Sequence, residues 1–120
     1  GTTRLKLKLS TAAKPHQFHV QPVGSIDDGL LWQPALIDGR KAVQINTSHP
    51  YYHKVYLPNI NETAVVQGMD SLLWAVASAE IGVISNETKK HWDDMRFIVS
   101  RMLRQLVEDL PEAAGEDENA

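Results

Sequence analysis

His49 and His53 stand four residues apart, a spacing that sets two imidazoles on one face of a helix and could hold a metal ion. His16 and His19 form a second close pair. The zinc-peptidase pattern needs a glutamate directly after the first histidine, and Pro50 stands there. No third ligand is placed by spacing, and the chain has no cysteine to supply a thiolate. A His-based metal protein or small enzyme is therefore one alternative reading, with His49 and His53 its candidate ligands. The main reading takes no metal and no cofactor.

The other reactive groups do not assemble by spacing into catalytic sets. Asp27-Asp28 falls in a turn, and Asp93-Asp94 falls on a helix, where neighbours in sequence do not face each other. Neither makes an acid–base couple. Ser48 precedes His49, but no nucleophile elbow surrounds it. There is no GxxxxGK[ST] loop and no GxGxxG turn for a nucleotide. These readings assign no catalytic residue and make the chain a non-enzyme.

The elements that must position these side chains are dominated by the stretch from Asn59 to Leu110. Asn59 with Glu62 makes a capping-box pattern for a helix over about 59–84. Val65, Met69, Leu72, Val76, Ala79 and Val83 recur at steps of four and three, one helical face. Val66, Leu73, Ala77 and Ile84 make a second stripe about 100° round. Two stripes are wider than one neighbour covers, so this helix is either central or shared with a second chain. Trp74 lies beside Leu73 and off both stripes, and an outward tryptophan points to an interface. Val66, Leu73, Trp74 and Ala77 are the predicted contact residues of a homodimer.

Gly82, Ser85 and Asn86 mark a break, and a second helix is predicted over about 86–110. Leu110-Pro111 ends it, because the residue before proline is pushed out of the helical region. The short connection implies an antiparallel pair.

The first half reads as strands. Arg4 to Leu9 alternates strictly, basic on one face and leucine on the other. Gln17 to Gln21 alternates again. Leu30 to Ile37 and Lys41 to Asn46 flank Asp38-Gly39, the sequence of a two-residue hairpin turn. Pro50 fits the first position of a short helix running to Tyr56. The fold class is α+β, antiparallel hairpins packed on a helical pair. One domain over 1–111 is expected, with 112–120 a disordered acidic tail.

Net charge is −3, unevenly spread. Residues 1–58 hold seven Lys/Arg against three Asp, and residues 59–120 hold five against twelve acids. The basic half supports a second alternative, a nucleic-acid-binding module using Arg4, Lys6, Lys8, Lys14, Arg40 and Lys41. No apolar run is long enough for a bilayer, and the absence of cysteine fits a cytoplasmic protein.

Three segments carry a resemblance. Val43-Gln44-Ile45-Asn46-Thr47-Ser48-His49-Pro50-Tyr51-Tyr52 looks like a strand-to-helix element with an HP-[FY]-[FY] signature. Met69 to Glu80, Met-Asp-Ser-Leu-Leu-Trp-Ala-Val-Ala-Ser-Ala-Glu, looks like its companion, as does Ile98-Val99-Ser100-Arg101-Met102-Leu103-Arg104. Together they resemble the region after the ATPase domain in bacterial and phage ATP-binding proteins of the gyrase–histidine kinase–MutL superfamily. The likeness covers about Leu36 to Pro111. This chain lacks that family's Glu/Asn-bearing helix and DxGxG loop. The resemblance therefore implies a C-terminal part that dimerises or binds a partner, so that two ATPase domains are held together, with nucleic acid a partner through the parent protein.

Overall fold

A computed structural model describes residues 19–112. Strand β1 (Val20–Val23) is followed by β2 (Trp32–Ile37) and β3 (Arg40–Asn46). Helices α1 (Thr63–Ile81) and α2 (Asn86–Leu106) complete the order.

Asp38 and Gly39 have φ of 54° and 77°, the pair of left-handed residues a two-residue hairpin turn requires. Ile37 then faces Arg40, and β2 runs antiparallel to β3. Pro34 is accommodated because β2 is an edge strand, where a missing N–H breaks no ladder.

The sheet is mixed, where the sequence predicts antiparallel strands throughout. Its order is β1-β3-β2, and β1 pairs with β3 in parallel, Val20 opposite Val43 and Val23 opposite Asn46. The 24–31 connection carries the chain across the end of β3. It is tied there by Thr47 N–H to Val23 O (2.8 Å) and Ser48 Oγ to Gly24 O (2.7 Å). The strand predicted at Arg4–Leu9 lies outside the described residues.

Alternation divides the sheet into two faces. Trp32, Val43 and Ile45 are buried beneath α1, with Leu31, Tyr56 and Ala77 completing the core. Gln33, Gln44 and Gln21 form a row on the other face, Gln33 Nε2 donating to Gln44 Oε1 and Gln44 Nε2 to Gln21 Oε1, both at 2.8 Å.

Both helices are shorter than predicted. Asn59 does not cap α1. Leu57–Asn59 winds as a tight turn after a wide one at Tyr52–Tyr56, and Asn59 Nδ2 donates back to Val55 O. The capping residue is Glu62, without a side-chain bond. Of the two residues at the break that can cap α2, Ser85 or Asn86, it is Ser85 whose Oγ accepts from Thr88 N–H at 3.3 Å. That helix ends at Leu106, four residues before the predicted end. Tail residues from 113 onward also lie outside the described residues.

A candidate interaction surface

His49 is 1 % exposed, and both ring nitrogens are engaged. Its Nε2 lies 2.8 Å from Ser100 O, and its Nδ1 accepts from Tyr51 N–H at 3.0 Å. That pattern requires the neutral imidazole with its proton on Nε2. Burial, then the nearby Arg104 cation, hold the ring below its usual pKa, against the pull of the Ser100 carbonyl. The metal reading of His49 and His53 thus meets a first ligand whose lone pair is already used. His53 stands edge-on to the Tyr52 ring. Among the described residues no group of three or more His, Cys, Asp or Glu could hold a metal ion.

The surroundings of His49 form a buried polar lock. Ser100 Oγ accepts from Leu31 N–H at 2.9 Å, and Asn46 Nδ2 donates to Leu30 O at 2.9 Å. Asn46 Oδ1 accepts from Ser48 N–H at 2.9 Å. The lock ties the end of β3 and the approach to β2 onto the middle of α2. Ser48, one residue before His49, is exposed and bonded to Gly24, so the two do not form a nucleophile–base pair.

Arg40 and Lys41 are exposed at the start of β3. Their predicted partners in a basic surface, Arg4, Lys6, Lys8 and Lys14, lie outside the described residues.

The predicted contact stripe faces inward. Ala77 is fully buried, and Val66, Leu73 and Trp74 pack on the same core. Trp74 donates its indole N–H to Lys41 O at 3.3 Å. Hydrophobicity alone could not choose between the two stripes of α1. The sheet took the second stripe together with Met69 and Val76 of the first, and Val65, Leu72 and Ala79 are left outside.

That outer face has an unusual composition. Every exposed residue of α1 is uncharged: Thr63, Ala64, Val65, Gln67, Gly68, Leu72, Ala75 and Ala79. The helix has only two charged residues, and both turn inward. Asp70 accepts a hydrogen bond from Tyr56 Oη. Burial raises the Asp70 pKa above the usual carboxylate range, against the lowering effect of that bond. Burial and the same carboxylate drive the Tyr56 phenol far above its ordinary value. Glu80 is chelated by Arg96 of α2, with Nε at 3.0 and 3.2 Å from its two oxygens and Nη2 at 3.0 Å from Oε2. Asp93 also accepts from Arg96.

Alpha2 also leaves apolar side chains in water. Ile98, Met102 and Leu106, spaced by four, are exposed, Leu106 at 72 %. Ser100 and Arg104, on the opposite side of the helix, point into the sheet and loop 24–31. Since Glu80 and Arg96 fix the facing sides of the two helices, the rows Val65/Leu72 and Ile98/Met102/Leu106 both look away from the sheet. A surface helix normally turns charged and polar residues this way. The described fold is two layers deep, 19 Å in its thinnest dimension, and these apolar side chains stand uncovered on its helical layer.

No helix among the described residues is long and apolar enough to cross a membrane. No protein-family model, no curated protein and no solved structure matches this chain.

Proposed function

We propose that the chain is a non-catalytic assembly module, which brings two copies together through the outer face of its helix pair. As the sequence resemblance implies, it would be the part of a larger ATP-binding protein that holds two ATPase domains side by side. The observation that carries the assembly reading is the uncharged, apolar outer face of α1, flanked by Ile98, Met102 and Leu106. Exposing Leu72 at 66 % gains nothing for an isolated domain. Contiguous apolar patches of this kind mark protein contacts.

The test is solution mass by light scattering across a hundredfold concentration range, on the wild type and on Leu72→Glu with Met102→Glu. The expected result is a wild-type dimer and a folded monomer for the double variant, with unchanged circular dichroism. Both sites are half or more exposed, so the substitutions cost the monomer little. A wild type that stays monomeric throughout would overturn the reading.

A further inference from the structure

We infer that two copies meet with α1 against α1, the helices crossing at Gly68. This rests on the assembly reading and adds the geometry of the contact.

Three observations lead to it. The first is area. Val65, Leu72, Ile98, Met102 and Leu106 leave on the order of 500 Å² of apolar surface in water. A stable interface takes about 800 Å² from each partner, so this face with its intervening alanines supplies most of one side.

The second is charge. The chain is net negative, and a copy of itself is repelled at any acidic face. The outer face of α1 carries no charge, so it meets its own image with no like-charge penalty and no ion left unpaired. A charged partner segment would find nothing there to pair with. A second copy is the occupant that this chemistry fits.

The third is Gly68 itself. Glycine is a poor helix former, and it stands within the first two turns of a long helix. Nothing in its own chain explains it: a Cβ built at Gly68 meets no atom within 4 Å. Gly68 is exposed, and the space its missing side chain leaves opens outward from α1. In a two-fold dimer, a helix that crosses its own copy on the axis sets one residue against itself. A glycine there lets the two backbones approach closely, while Val65 and Leu72, three residues before it and four after it, fill the spaces on either side.

The absence of cysteine allows a direct test on the whole chain. Single variants Gly68→Cys, Met102→Cys and Ile84→Cys are oxidised with a glutathione couple, and covalent dimers are counted over time. Ile84, 92 % exposed in the connection between the helices, reports random collision. A disulfide needs the two Cα atoms within about 7 Å, so Gly68→Cys is expected to cross-link at least tenfold faster than the other two. Gly68→Leu is measured beside it. Its side chain has open space in the monomer, so folding is kept, and the dimer is expected to weaken at least tenfold.

Wild-type mass separates the two levels of the argument. A wild-type dimer in which Met102→Cys or Ile84→Cys links as fast as Gly68→Cys, or in which Gly68→Leu dimerises normally, overturns the crossing and leaves assembly standing. A wild-type monomer overturns both.

Discussion

At the scale of single residues, His49 shows how a residue type that invites a catalytic reading can be consumed by structure. The sequence set it four residues from His53, which was legible. That its ring would be threaded between Tyr51 N–H and Ser100 O was not, because Ser100 is 51 positions away and no spacing pairs the two. The geometry has a consequence in pH. The folded ring is held below its unfolded pKa of about 6.5, so below that value the unfolded chain binds the extra proton first. The stability this group contributes is complete above about pH 6.5 and is lost progressively as pH falls toward the folded value. The wild type should therefore lose denaturant resistance between pH 7.5 and 5 faster than His49→Gln does. Comparing the two midpoints cancels the carboxylates common to both, Asp70 included. Parallel pH profiles would show that His49 does not titrate in this window. Trp32 offers a contrasting case. It is buried with its indole N–H unpaired. Trp32→Phe removes no hydrogen bond and should cost only the volume lost, about 1–2 kcal/mol by urea unfolding.

At the scale of elements, legibility followed how local the cause was. The β2–β3 hairpin was readable because Asp38-Gly39 must take positive φ, a demand two residues settle alone. The cap of α2 was readable for the same reason. The parallel pairing of β1 was not, since it depends on the 24–31 connection crossing the end of β3. The start of α1 was misplaced because Leu57-Pro58-Asn59 wound as its own turn. Most telling is the face of α1. Two apolar stripes were visible, and the stripe read as outward packs on the sheet, joined there by Met69 and Val76 of the other. The discriminating signal was in the charges: Asp70 and Glu80 share the side of Leu73 and Ala77, where buried partners await them. Arg96 is the partner that ties the helices, and neither it nor Glu80 reaches much solvent. Arg96→Met should strand the Glu80 carboxylate and destabilise by about 3 kcal/mol, and adding Glu80→Leu should restore most of that, since a well-packed apolar pair often replaces a buried ion pair without loss. Urea unfolding of the two variants is the measurement. A double variant as unstable as the single one would mean the ion pair contributes net stability rather than registering α1 on α2.

At the scale of the whole molecule, the question is what completes a fold that covers one side of its helical layer and leaves the outer face of α1 uncharged and in water. The assembly reading and the nucleic-acid alternative make opposite predictions about salt. An uncharged face buried against its own copy releases no bound ions. Added salt screens the repulsion between two negative chains and strengthens apolar burial, so association should hold or tighten. Contacts of Arg40 and Lys41 with phosphate would behave otherwise, each neutralised phosphate releasing a counterion and steepening the loss with salt. The expected result is a dimer dissociation constant that changes less than about threefold between 0.05 and 1 M NaCl, read by sedimentation. The melting temperature should rise with protein concentration at both salts, since a partner that binds only the folded state stabilises it by mass action. A dimer that loosens tenfold or more over that range would be held by charges at its rim. Asp94 and Arg101, exposed on the outer flank of α2, would then replace Leu72 and Gly68 as the residues to substitute.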